Sequence, residues 1–448
     1  MKSIPGLLGA AAMVGLLAGC EDTIVLSGQR FDTRTPIDQA QAAVGGGFVP
    51  ARADQPNESR PVSLGSPVAN AAWDHRGGNA ARSMPHLALS AQPQPLWTAS
   101  IGTGDSSRRR IATAPVVSGG MIYAMDARNR LTALSTANGG QAWSIDVTPP
   151  GDSRDSGNGG GLAIGQGRLY ATTGFGELLA IDPASGAIIW RQRFDGVANG
   201  APAVGDDTVL VAGRDGTAWA VDATTGKLRW QRAGVRQTAG ILGGPAPALA
   251  GGTVVLPWSS GQVIALQART GEPLWQGFVA GKRAGRTAAL IGEMTGDPVI
   301  HGGRVYVGNA AGSTAAFDLK TGQQLWLARE GSMGPVWAVG NAVYLVSDLG
   351  DLVRLDAATG DVVWRQPMGH FLAEKPSKQR DTLAHYGPVL VGGRLMVTSS
   401  DGSVRFYSPE SGAVVGGFQM AAGAAAAPAV ANGTLYVVDT KGQVEAFR

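Results

Sequence analysis

Few residues in this 448-residue chain have the type and spacing that chemistry needs. Cys20 is the sole cysteine. One thiol cannot close an internal disulfide, form a Cys-x-x-Cys-His haem attachment or supply a cysteine pair to a redox or zinc site. The five histidines, His75, His86, His301, His370 and His385, never fall at His-x-x-x-His spacing, which would set two imidazoles on one helical face around a metal. They read as surface or turn residues. No Gly-x-Ser-x-Gly turn presents a serine nucleophile. The cluster Gly157-Asn158-Gly159-Gly160-Gly161 lacks the Lys-Ser/Thr that a phosphate-cradling loop requires, so it reads as a flexible turn. Arg108-Arg109-Arg110 is the one dense basic run, and in its Gly/Ser-rich surroundings it reads as a solvated loop, with contact to an acidic partner or lipid headgroups as the alternative. The formal charge is only +3, or +2 once a leader carrying Lys2 is removed, and no basic surface interleaves with aromatics. Nucleic acid is not an expected partner. We therefore assign no catalytic residue, no metal ligand and no cofactor from the sequence, and the chain reads as a non-enzyme.

The place of Cys20 gives its thiol a different use. Lys2 supplies a positive start, and Ile4 to Ala18 form an apolar stretch shorter than the roughly 20 residues a membrane-spanning helix needs. The stretch ends in Leu17-Ala18-Gly19-Cys20, which resembles a bacterial lipobox. In such signals the peptidase cuts before the cysteine and the thiol is acylated. The resemblance implies a signal peptide over 1–19 and a lipid anchor on Cys20. At roughly 0.8 kcal/mol per buried methylene, more than one acyl chain holds durably. An ordinary secretion signal with an incidental cysteine is the alternative. Glu21 stands where an Asp would favour retention at the inner membrane, so the periplasmic face of the outer membrane is expected. From Glu21 to about Pro85 the chain lacks periodicity and is rich in Pro, Gly, Ala and polar residues. Residues 20–85 read as a lipid-anchored, partly disordered tether. Its last part, Trp73-Asp74-His75-Arg76-Gly77-Gly78-Asn79, is a candidate for packing on the domain, because a Trp seldom idles in a linker.

The remainder, 86–448, repeats itself. One copy runs through Ala201-Pro202-Ala203-Val204, Thr208-Val209-Leu210-Val211, Gly216-Thr217-Ala218-Trp219-Ala220-Val221-Asp222 and Gly226-Lys227-Leu228-Arg229-Trp230. Each copy is four short β runs bounded by Gly, Asp or Asn. Third runs begin near Leu131, Glu177, Thr217, Gln262, Ser313, Asp351, Ser403 and Gln443, which makes eight units. The last stops after three runs, while Leu96-Trp97-Thr98 has none before it. An N-terminal strand completing the C-terminal unit resolves both facts and removes open sheet edges. The expected fold is all-β, an eight-bladed propeller with four antiparallel strands per blade, in line with roughly 45 residues per repeat. The string Asp-x-x-Thr/Ser-Gly-x-x-x-Trp recurs from Asp182 to Trp190, Asp222 to Trp230, Asp318 to Trp326 and Asp356 to Trp364, with Gln267 for Asp before Trp275. Its Asp and Thr can bond the turn backbone, Gly can take positive φ, and Trp can fill the gap between blades. Trp is missing from the eighth end, near Val414-Val415-Gly416-Gly417-Phe418.

These strings resemble the pyrroloquinoline-quinone-type propeller repeat, which two branches share: the quinoprotein alcohol and glucose dehydrogenases, and the BamB family of the outer-membrane β-barrel assembly machinery. Over essentially its whole length the chain is similar to the BamB family. The resemblance rests on the lipobox, the eight units, the Trp73–Asn79 segment, Gly159-Gly160-Gly161-Leu162-Ala163 and Tyr170-Ala171-Thr172-Thr173-Gly174-Phe175-Gly176. The adjacent cysteines that clamp the quinone in the dehydrogenase branch are missing. The resemblance implies a scaffold lipoprotein that binds the POTRA domains of BamA within the barrel assembly complex and helps present outer-membrane proteins. It leaves direct contact with unfolded clients open. A quinone-dependent dehydrogenase-type subunit with an altered clamp, and an envelope scaffold of another complex, are the alternatives.

Two inter-blade connections, Arg232 to Gly244 and Gly281 to Gly296, exceed what strand closure requires. In the BamB family, a Leu-x-Leu-Arg stretch before an Ala-Pro strand start and a later Asp-x-Asp pair are linked to BamA binding. The first aligns with Ala239-Gly240-Ile241-Leu242 before Ala246-Pro247, and the second with Glu293-Met294-Thr295 before Pro298. Ile241 keeps the apolar type and Glu293 one acid, while Leu242 replaces the Arg and Thr295 the second Asp. Ile241, Leu242, Glu293 and Thr295 are thus the candidate partner-binding residues. The alternative is that Ile241 and Leu242 pack under their own loop.

Overall fold

The computed structural model describes residues 57–448 apart from 158, 199, 235–243, 259–260, 282, 284–293 and 374. Within them, 32 strands form eight four-stranded antiparallel sheets. Blade 3 is representative: Ala203–Gly205, Thr208–Ala212, Thr217–Asp222 and Leu228–Ala233 pair in sequence order. The second and third strands are almost wholly buried, whereas the fourth is largely exposed. Inner strands are covered by neighbouring blades on both faces, so they read as continuous apolar runs. The rim strand has one wet side.

The ring closes as the repeat count requires. Pro95–Ser100 pairs antiparallel with Gln443–Phe447, with Trp97 opposite Ala446 and Ala99 opposite Val444. It is the fourth strand of the sheet begun by Ala429–Ala431 and Thr434–Val438. The third strands start within one residue of the positions read from the sequence.

Each repeat tryptophan packs against the next blade, and several, though not Trp190 or Trp364, also hydrogen-bond to its backbone. Trp143 Nε1 donates to Pro183 O at 2.9 Å, Trp230 to Ala268 O at 2.9 Å, Trp275 to Leu319 O at 2.8 Å and Trp326 to Ala357 O at 3.0 Å. The ring lies on the turn glycine of that neighbour. A Cβ on Gly322 (φ +71°) would stand 2.5 Å from Trp275 Cγ, so this glycine is required for its conformation and for the ring above it. The missing eighth Trp has the same explanation. Blade 7 faces a blade whose fourth strand comes from the N-terminus, so that neighbour has no turn joining its third and fourth strands for an indole to cover. Phe418 packs there on Phe447, with ring centroids 4.7 Å apart.

The described part of the assigned tether requires a correction. Residues 57–85 are not a free linker but a strap across the propeller, continued by Leu87, and the strap and propeller lie in one compact unit. The strap meets every blade. Glu58 N donates to Val363 O in blade 6 (3.0 Å), and Asn70 Nδ2 to Val430 O in blade 8 (2.7 Å). Trp73 exchanges backbone bonds of 2.7 and 2.9 Å with Val117 in blade 1. Asp74 O accepts from Ile164 N in blade 2 (2.8 Å), and His75 Nε2 from Val204 N in blade 3 (3.0 Å). Ala80 O and Ala81 O accept from Leu249 N and Ile300 N in blades 4 and 5, at 2.8 and 2.9 Å. Leu87 N donates to Leu390 O in blade 7 (3.1 Å). Apart from blade 6, these partners lie on the first strand of each blade. That strand's inner edge otherwise leaves backbone groups unpaired, and the strap supplies the partners.

Candidate partner-binding site

The two long connections join blade 3 to blade 4 and blade 4 to blade 5. Cys20, Ile241, Leu242 and Glu293 lie outside the described residues. Thr295 is half-buried, and its Oγ1 donates to Ser332 O. The feet of both connections are described, and one carboxylate brings them together.

That carboxylate is Asp297, whose side chain is fully buried. Its Oδ1 accepts from Ala246 N at 2.8 Å, at the foot of the first connection. Its Oδ2 accepts from Arg76 Nε at 2.8 Å and from Arg82 Nε at 3.2 Å, and Arg76 Nη2 also donates to Oδ1. Arg76 Nη2 reaches on to Gly244 O at 3.2 Å. Burial works to raise the Asp297 pKa. The Arg76 guanidinium above all, with Arg82 and the Ala246 amide, reverses this and holds the carboxyl below its usual range. Burial also opposes the charge on Arg76, but Asp297 outweighs it and the pKa rises. Arg82, pressed by burial and by the charge of Arg76, ends lower than usual.

Among its described residues, Arg283 and Met294 also fasten the second connection. Arg283 Nε donates to Asp348 Oδ2 at 2.6 Å and Nη2 to Asp348 Oδ1 at 2.9 Å. Met294 is fully buried in the core between blades 4 and 5. Both feet border a cavity of about 300 Å³. Its walls are mostly residues just before or at the first strands of six blades, among them Ile111, Met294, Met333 and Tyr386, and the strap contributes Trp73, Arg76 and Arg82.

The histidines serve packing. His75 and His86 are buried, which corrects their reading as surface or turn residues. His86 Nδ1 donates to Gly65 O (3.0 Å) and Nε2 accepts from Gly393 N (2.6 Å), while His301 bonds Ser83 Oγ (2.7 Å). Among the described residues, no group of three or more His, Cys, Asp or Glu side chains is arranged to hold a metal ion. In the basic run, Arg109 pairs with Asp155 at 2.9 Å and Arg110 with Asp105 at 3.2 Å.

Sequence reasoning passed over Asp297, Arg76 and Arg82. A signal for the first existed. Blades 1, 3, 4 and 8 place Ala114, Ala201, Ala246 and Ala427 before the proline that opens the first strand, and blade 5 places Asp297 there. An acid in a column of alanines, most of them buried, calls for cations.

Known proteins share this architecture. A family described as outer membrane protein assembly factor BamB matches residues 88–158, 151–366 and 350–448, which takes in all eight blades. Outer membrane protein assembly factor BamB of Burkholderia pseudomallei is 28% identical over 368 residues, covering 79% of this chain and 88% of that one. The crystal structure of BamB from Moraxella catarrhalis matches with a TM-score of 0.61 at 23% identity, over 77% of this chain and 97% of that one. Quinohemoprotein alcohol dehydrogenase from Comamonas testosteroni gives a TM-score of 0.62 at 16% identity, over 84% of this chain and 80% of that one. At these identities the two structures speak for the fold alone. The family model matches well over half of the chain, and on that ground the chain belongs to the outer membrane protein assembly factor BamB family.

Proposed function

We propose that this chain is a non-catalytic scaffold of the outer-membrane β-barrel assembly complex, held at the periplasmic face of the outer membrane by lipid on Cys20. It binds the POTRA region of BamA through the connections 232–244 and 281–296, with Ile241, Leu242, Glu293 and Thr295 among the contacts, and so aids insertion of outer-membrane proteins. The observation that carries the reading is the common footing of the two connections on Asp297, which sets two separate stretches of sequence beside each other. A partner surface built from two connections needs their feet held on a rigid base. Purification of the native lipoprotein from solubilised membranes, with identification of what comes with it, tests the reading. BamA in stoichiometric yield is expected, and its absence from the purified material would refute the proposal.

A second reading, a quinone-dependent dehydrogenase-type subunit, draws on the cavity of about 300 Å³ and on the likeness to the Comamonas enzyme. It requires bound quinone in the purified chain and dye-linked oxidation of alcohols or sugars.

A further inference from the structure

We propose that Arg76, acting through Asp297, is a positioning residue for the described feet of the two connections, Gly244 to Ala246 and Met294 to Asp297, so that the strap is a working part of the partner site as well as a seal on the propeller. The inference rests on the scaffold reading for its partner but on geometry for its mechanism. One planar guanidinium joins three separate stretches of chain. It sits on the strap, bonds the buried carboxylate beside the second connection at 2.8 Å, and bonds Gly244 O in the first at 3.2 Å. Asp297 completes the circuit by accepting from Ala246 N. A fork with several donors in fixed geometry can hold two acceptors at a set separation, which a single ammonium cannot do.

The strap does not depend on this one side chain for its place. Trp73 is paired with Val117, Asn70 with Val430 and Leu87 with Leu390, and Arg82 makes its own bond to Asp297. Removing the fork should therefore loosen the feet of the connections while the blades stay folded. The second foot keeps further holds in buried Met294 and in the Thr295 hydroxyl on Ser332 O, so the larger loosening is expected at the first foot, where the guanidinium reaches Gly244 O.

The test uses the mature full-length chain with Arg76→Met, which keeps an apolar stem, and Arg76→Lys, which keeps the charge on Asp297 but not the second reach to Gly244. Hydrogen exchange is followed by mass spectrometry, and binding to the BamA periplasmic region by calorimetry. Arg76→Met should speed exchange at 244–246 and 294–297, leave blades 1 and 7 unchanged, and weaken binding at least fivefold. Arg76→Lys should speed exchange at 244–246 alone and bind with intermediate affinity. If Arg76→Met fails to fold, the Lys variant decides by faster exchange at 244–246 alone. Unchanged exchange at both feet overturns the positioning role, as does unchanged affinity in a wild type that binds. A wild type that does not bind BamA instead refutes the scaffold reading, and the exchange arm still decides the role of Arg76.

Discussion

His75 offers a test of whether the strap lies in the propeller in solution. Its side chain is buried, its Nε2 accepts from Val204 N at 3.0 Å, and its backbone pairs with Ala163. Burial, with a smaller push from the charge of Arg82, lowers its pKa from 6.5 to about 3. The unfolded chain therefore takes up a proton near pH 6.5 that the folded chain refuses until about pH 3. Stability from this residue is fully present above the unfolded value and is lost as pH falls through the interval. Linkage puts the loss at about 2 kcal/mol at pH 5 and about 3 kcal/mol at pH 4. Urea unfolding of wild type and His75→Gln between pH 7.5 and 4.5 reads this directly, since the Gln amide oxygen can still accept from Val204 N–H. Wild type should lose about 2 kcal/mol more than the variant between pH 7 and 5. A weaker slope in the same direction remains in the variant, because burial also lowers His301 and His385. Parallel pH profiles, or a His75 imidazole titrating near 6.5 by NMR, would refute the buried strap.

Three further outcomes are expected. Gly322→Ala forces a left-handed alanine against Trp275 and should cost more than the roughly 1–2 kcal/mol of the backbone alone; Gly302→Ala, with φ +58° and nothing within 4 Å of the added Cβ, should cost the backbone share only. Thermal melts of the two variants compare them, and equal losses would deny the ring-on-glycine contact. Cys20→Ala should leave a folded propeller that no longer stays with membranes after a high-salt wash; retention in the pellet would refute the lipid anchor. Purified protein should show no quinone absorbance and no stoichiometric metal by elemental analysis, and tight quinone binding with dye-linked oxidation would support the dehydrogenase reading instead.

The propeller was legible because its physics repeats. Every blade needs buried inner strands, and every blade but the seventh sets an indole over the neighbour's turn glycine, so the same residue types return at Trp97, Trp143, Trp190, Trp230, Trp275, Trp326 and Trp364. Even the closing strand could be deduced, from a unit one strand short. The strap was legible only where Trp73 marked a segment that packs on the domain, because each of its contacts is made once. Trp73, His75, Ala80 and Ala81 address four different blades through backbone groups or a single ring nitrogen, and backbone bonding leaves no periodic pattern. Asp297 was hidden for another reason. Asp before Pro reads as a turn signal, and only its place in a column of alanines marks it as a buried charge. Thr295 was reached by alignment with a family motif, and its hydroxyl is engaged by Ser332 O.

The central claim is that this propeller binds BamA through the two long connections. Its most direct test is the affinity of the purified mature chain for the isolated BamA periplasmic region, with wild type beside the Ile241→Ala, Leu242→Ala double variant. If the two are central anchors, each truncation costs roughly 2 kcal/mol or more. The account predicts saturable one-to-one binding by wild type and at least tenfold weaker binding by the variant, with circular dichroism and melting near wild type. Absence of binding by wild type, equal affinity of the variant, or a melting drop large enough to explain the loss would contradict it.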